Sequence, residues 1–136
     1  MSGSVIARIA LIVAAVAAGV VLIAFQRSED SCTDSVKALF FALKNDEQGA
    51  QLDKTIGSVE DDCPGSARLV DAGGVLYQQR EPARAARMLR EAVDREPDSF
   101  SAWAGLAVVL AKSDPAAADA AAARAHSLNP YYRRPS

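Results

Sequence analysis

Proline spacing constrains this chain more than any other feature. Pro82 and Pro115 stand 33 residues apart, and Pro64, Pro97 and Pro130 keep the same step, so five of the six prolines fall on two ladders. A proline inside a helix removes a backbone donor and drives its ring into the preceding turn. It suits the first helical position, however, and the chain just past a helix end. The ladders therefore mark boundaries. Glu81-Pro82-Ala83 and Asp114-Pro115-Ala116 read as helix starts, and Cys63-Pro64, Glu96-Pro97 and Asn129-Pro130 as stops. A period of this length implies stacked helical units, none of which buries its apolar face alone.

The residues between these boundaries correspond from unit to unit. Unit two runs Val70, Gly74, Tyr77, then Ala85, Leu89, Ala92 and Pro97; unit three runs Trp103, Leu106, Ala107, Leu110, then Ala118, Ala122, Ala125 and Pro130. Unit one is the most divergent, yet it keeps Val36, Leu39, Phe40 and Leu43 at helical spacing, followed by Leu52, Ile56 and Val59. The spacing predicts that Gly74, Ala107, Ala85, Ala92, Ala118 and Ala125 set a close approach of paired helices. Tyr77, Leu89, Trp103 and Leu110 then fill the space between hairpins. From about Thr33 to Pro130 the pattern resembles the tetratricopeptide repeat family, whose unit is a helix-turn-helix of about 34 residues. The Thr-Pro-Leu-His turn of the ankyrin unit is missing. An ordinary helical bundle with coincident prolines is the competing fold.

The resemblance implies an all-α architecture, an N-terminal transmembrane helix followed by a three-unit solenoid, with a concave face built from the first helix of each unit. In that family the concave face holds an extended or helical segment of a partner protein. Carried over by position, the groove takes Asp34, Lys37, Phe41, Lys44 and Asn45 from unit one and Arg68, Asp71, Val75, Gln78 and Gln79 from unit two. Unit three adds Ser101, Ala104, Val108, Ala111 and Lys112, and Phe41, Val75 and Val108 form an apolar centre line. One subtype of the family grips C-terminal carboxylates with a lysine and an asparagine. Lys37 fits the first position, but Phe41 replaces the second, which disfavours that subtype.

Ile9 to Phe25 carries no charge, and counted from Val5 the stretch is about 21 residues, or ~31 Å of helix, enough to cross a bilayer. Arg8 lies near its end, where a long stem reaches the interface. The expected organisation is residues 1–25 as a membrane segment, 26–32 as a polar linker, 33–130 as the repeat domain and 131–136 as a tail. Arg8 leads the span, whereas Arg27 trails it beside Glu29, Asp30 and Asp34, so the charge bias favours a cytoplasmic N-terminus with the repeats outside. Ala15-Val16-Ala17 has the small-x-small form of a processing site, so a cleaved signal peptide is the alternative. The apolar run continues beyond it, which favours an uncleaved anchor.

The two cysteines, Cys32 and Cys63, stand at the entrance and exit of the first helix pair, ends that an antiparallel hairpin brings together. A structural disulfide in an oxidising compartment is expected, the alternative being two buried thiols. Abundant alanine, and arginine in excess of lysine, suit a high-GC bacterial coding bias. A net charge of -2 with no polybasic run argues against nucleic acid as a partner. Asp46-Glu47 and Glu60-Asp61-Asp62 make unit one acidic, whereas Arg80, Arg84, Arg87, Arg90 and Arg95 enrich unit two in arginine. Arg84 and Arg87 share a helix face, which reads as a solvated surface rather than an anion-binding strip. No nucleophile motif, phosphate loop or converging ligand set stands out, and His126, the sole histidine, reads as an interface residue. The expectation is a non-enzymatic adaptor or assembly factor at the cell envelope, without cofactor or metal. The alternative is a structural subunit or homo-oligomer in which another chain covers the Ala-rich helix from Ala116 to Ala125.

Overall fold

The structure, a computed structural model, describes residues 2–133, with side chains from residue 10 onward; residues 134–136 of the expected tail lie outside the described part. Six α-helices run in order: α1 (Ser2–Lys44), α2 (Gly49–Asp62), α3 (Ser66–Gln78), α4 (Pro82–Arg95), α5 (Phe100–Val109) and α6 (Pro115–Leu128). No strand occurs among the described residues. The helices pack as consecutive pairs, α1 on α2, α3 on α4 and α5 on α6, and α5 also rests on α3 and α4. Pro82 and Pro115 open α4 and α6, where the missing N–H is one that no helical turn would use. The other three follow the terminal residues Cys63, Glu96 and Asn129. Asp114 adds a cap to α6, its side chain accepting from Ala117 N at 3.0 Å.

The turns after α1 and α3 share one design. Glu47 N donates to Ala42 O and Glu81 N to Leu76 O, both at 2.9 Å. The residues before them, Asp46 and Arg80, are left-handed with φ of 53° and 64°.

The expected linker is helix. Residues 26–32 lie inside α1, which runs unbroken for 43 residues, about 65 Å. Gln26 to Ser31 contains neither proline nor glycine, and Thr33 Oγ1 bonds the Glu29 carbonyl at 2.9 Å, so the change from apolar to polar marks a change of surroundings and not a helix end. Cys32 is therefore in the interior of α1. It still meets Cys63, because α2 returns alongside, and the Cα atoms are 4.6 Å apart with the sulfurs at bonding distance.

The core is a continuous row that includes Leu39, Leu52, Ile56, Leu69, Leu76, Met88 and Leu89, each almost wholly enclosed, with Ala85, Ala92, Ala107 and Ala125 equally buried. On α3 the buried stripe is Leu69, Ala72, Gly73 and Leu76. That shifts the expected stripe of Val70, Gly74 and Tyr77 by one residue, which turns it ~100° around the axis. Gly73, and not Gly74, permits the close approach: a Cβ there would stand 2.9 Å from Leu89 Cγ, whereas one on Gly74 meets nothing within 4 Å. Tyr77 is 39% exposed and Phe40 53% exposed, so neither is a core residue. Trp103 is half-buried at the edge of the core, its Nε1 donating to the Pro97 carbonyl at 2.8 Å. Val36, Leu43 and Val70 pack partly buried against the same core, and Leu110 is buried.

Candidate functional site

The first helices α1, α3 and α5 line one side of the molecule. Between α1 and α3 lies a concavity of about 650 Å³ that gathers Lys37, Phe41, Lys44, Val75, Gln78 and Gln79 from the expected groove, together with Phe40, Leu43 and Asp46. Its apolar floor is unusual for a surface: Phe40 and Phe41 are adjacent on a helix and more than half exposed, Phe41 at 62%. Lys37 and Lys44 stand one turn to either side of Phe41, and Asp46 lies beside them, so the concavity is an apolar strip with a charged rim of both signs.

Farther along, Val108 and Ala104 belong to a second concavity between α3 and α5, where Val70, Gly74, Tyr77 and Gly105 join them. Lys112 lines a third, with Tyr77, Arg80 and Ser113. The expected centre line is thus divided, Phe41 with Val75 in one hollow and Val108 in the next. Tyr132 and Arg133 also line the second hollow. The remaining groove residues are not assembled in these hollows. Arg68 and Asp71 are exposed outside all three. Asp34 lies 3.2 Å from Lys37 Nζ but lines the cleft between α1 and α2. These positions follow the face of each helix, and the one-residue shift on α3 moves them out of line. His126 is exposed, and its Nδ1 lies 3.3 Å from the Tyr132 carbonyl, so it touches the tail and not a unit interface.

On the opposite side, α2 and α4 are clasped by arginines. Arg84 places Nε 2.8 Å and Nη2 3.2 Å from the two oxygens of Asp53, and its Nη1 is 2.6 Å from Glu81 Oε2. Arg87 Nε reaches Glu60 Oε1 at 3.0 Å. Arg95 pairs with Glu91 at 2.8 Å and donates from both terminal nitrogens to the Cys63 and Glu60 carbonyls, two of the acceptors that the end of α2 leaves without helical partners. The hydrogen bond from Arg84 holds the Asp53 carboxyl below the usual carboxylate range, and the same contacts raise Arg84. The arginine face expected to be solvated is in fact spent on the neighbouring unit. Its signal was present in the sequence as charge segregation, acidic unit one beside arginine-rich unit two, with partners 31 and 27 residues apart, near the repeat period. At the next junction Glu96 accepts from Ser66 Oγ at 2.6 Å and from Ser66 N at 3.1 Å, which holds its carboxyl low and satisfies a free donor at the start of α3.

From Leu11 to Phe25 the large apolar side chains of α1 are all exposed, and none of this segment packs on the rest of the chain. The helix is long and apolar enough to cross a membrane, with a mean hydropathy of 2.1 over its most apolar window. A signal sequence has the same composition. No protein-family model matches the chain, and a comparison with curated proteins finds no match.

Proposed function

We propose that the chain is a membrane-anchored, tetratricopeptide-type adaptor or assembly factor that holds a segment of a partner protein against its concave face and has no catalytic activity. The observation that carries this reading is the concavity between α1 and α3. Phe40, Phe41 and Val75 expose apolar surface there, with Lys37, Lys44 and Asp46 at its edge to pair with polar groups of a bound segment. The convex side is a poorer candidate, since Arg84, Arg87 and Arg95 are already engaged by α2.

The cysteine pair fits an exported domain. The sulfurs of Cys32 and Cys63 are at bonding distance, and such a bond persists in an oxidising compartment. The orientation that goes with this reading has the N-terminus in the cytoplasm and the repeat domain outside. The unbroken α1 helix then sets the height of the domain: Cys32 lies seven residues past Phe25, about 10 Å along the axis. Photocrosslinkers placed at Phe41 and Val75 in intact membranes should capture a distinct protein, and one at Arg87 should capture little. Capture at Arg87 alone would overturn the concave-face reading. Capture of another copy of this chain alone would replace the adaptor with a structural oligomer.

A further inference from the structure

The lower edge of the stack is continuous and begins at α1. Helices α1, α3 and α5 lead away from the apolar segment and α2, α4 and α6 return toward it, so the α2–α3 turn, the α4–α5 turn and the end of α6 share one side. That side is tied from unit to unit. Cys63 meets Cys32 of α1, and the Cys63 carbonyl accepts from Arg95 at the end of α4. Glu96 accepts from Ser66 Oγ at 2.6 Å, and the Ser66 and Ser99 hydroxyls, at the starts of α3 and α5, are 3.5 Å apart. In the last unit the Tyr132 ring meets Phe100 of α5 edge to face, with centroids 5.5 Å apart. The segment after α6 therefore lies on the same edge as Cys32. Cys32 is seven residues past Phe25, ~10 Å along α1. The headgroup layer of a bilayer extends roughly 5–8 Å beyond the hydrocarbon on each side. With α1 crossing a bilayer, this edge faces the headgroups.

The Asn129 carbonyl accepts from Tyr132 N at 2.9 Å and its side-chain oxygen accepts from Tyr131 N at 3.1 Å, a reversal that folds Tyr132 onto α5 and leaves Tyr131 92% exposed. The other exposed large apolar side chains beyond the apolar segment, Phe40, Phe41 and Tyr77, line the concave hollows. Among the described residues Tyr131 is the one such ring on the lower edge. We propose that Tyr131 seats its ring in the headgroup layer of the membrane that α1 crosses, with Arg133, exposed two residues on, against lipid phosphate. The domain is then held to the bilayer at both ends of its lower edge. This rests on α1 being a membrane anchor and not on the concave face being the partner surface. Tyrosine has an apolar body and a polar tip, which suits a layer that is apolar below and wet above. The arginine fork matches a phosphate with two parallel bonds. Asp61 and Asp98 are exposed on the same edge and offset the arginine, so the ring leads the contact and no excess of anionic lipid is required.

The test uses the full chain in phosphatidylcholine vesicles in which part of the lipid carries a headgroup nitroxide, a quencher of tryptophan emission. Tyr131→Trp keeps an interfacial aromatic on the lower edge. Ser113→Trp places one in the α5–α6 turn, exposed at the far end of the stack. Trp103 is common to both, and the wild-type chain supplies its contribution. The tryptophan added at 131 should be quenched at least threefold more strongly than the one added at 113. Inserting seven residues after Arg27 lengthens α1 by about two turns, ~10 Å, while keeping its face, and should bring quenching at 131 down to the level at 113. Replacing a third of the lipid with phosphatidylglycerol should leave quenching at 131 within a factor of two. Equal quenching at 131 and 113, quenching that survives the insertion, or contact that appears only with phosphatidylglycerol would each overturn the proposal. The comparison of 131 with 113 decides by itself if circular dichroism shows the insertion variant misfolded. A chain that does not float with the vesicles would remove the anchor together with this contact, whereas flotation with equal quenching removes the contact and leaves the anchor standing.

Discussion

Leu89 is fixed from two sides by absent side chains. A Cβ on Gly73 would stand 2.9 Å from its Cγ, and one on Gly105 would stand 3.0 Å from its Cδ2, so Leu89 cannot move away from one without meeting the other. Gly73→Ala should therefore destabilise the domain by about 1–3 kcal/mol through overpacking. Its neighbour gives the opposite sign. Gly74 is exposed on a helix with open space at the Cβ position, and Gly74→Ala should stabilise by about 0.5–1 kcal/mol by restricting the unfolded chain. Thermal unfolding of the two variants checks the pair. Opposite expectations for adjacent glycines make this a direct test of the α3 register.

Unit one is closed by a covalent link between α1 and α2 and is joined to unit two by an ionic one between α2 and α4. The ionic link has a pH signature. Arg84 depresses the Asp53 pKa and Ser66 depresses that of Glu96, so both carboxylates stabilise the fold at neutral pH. That contribution is complete above the unfolded carboxylate range and is lost as pH falls from about 4 toward the lower folded values. Melting midpoints measured from pH 7 to pH 2 should fall steeply below pH ~4 in the wild type. They should fall less steeply in Asp53→Asn and Glu96→Gln, which are already destabilised at neutral pH. The covalent link spans 31 residues. The intact chain should gain the mass of two hydrogens on reduction, and replacing both Cys32 and Cys63 with serine should cost about 3–4 kcal/mol on the loop-entropy relation. A change in mass of zero under an alkylating quench would remove the link.

The molecule as a whole is a long helix with a compact helical stack at one end. Because α1 continues without interruption from the apolar stretch into the first pair, the apolar stretch and the domain form one mechanical body. With the N-terminus in the cytoplasm, a reporter fused after Ser136 should be active only if it requires export, and the mature chain should remain with membranes. Activity of a cytoplasm-dependent reporter would reverse the orientation. A mature terminus near Ala18 would establish cleavage at the Ala15-Val16-Ala17 site and leave export intact.

The helix boundaries were legible in the linear chain, because proline acts on the backbone locally and its consequence does not depend on what packs nearby. The apolar stretch of α1 and the meeting of Cys32 with Cys63 were legible for related reasons: hydropathy is a sum over neighbours, and a short turn forces an antiparallel return. The faces were not. Val70, Gly74 and Tyr77 form as good a helical stripe as Leu69, Gly73 and Leu76, and only contact with Leu89 decides which one turns inward. Likewise a linker at residues 26–32 and a solvated arginine face follow from polarity alone, which reports affinity for water and is blind to a helix that runs on or to a carboxylate one repeat away. Tyr132 is the clearest case, since nothing in Asn-Pro-Tyr-Tyr-Arg says which tyrosine turns back. That choice belongs to the reversal at Asn129 and to the hollow that α3 and α5 leave open, which exist only once the helices have packed.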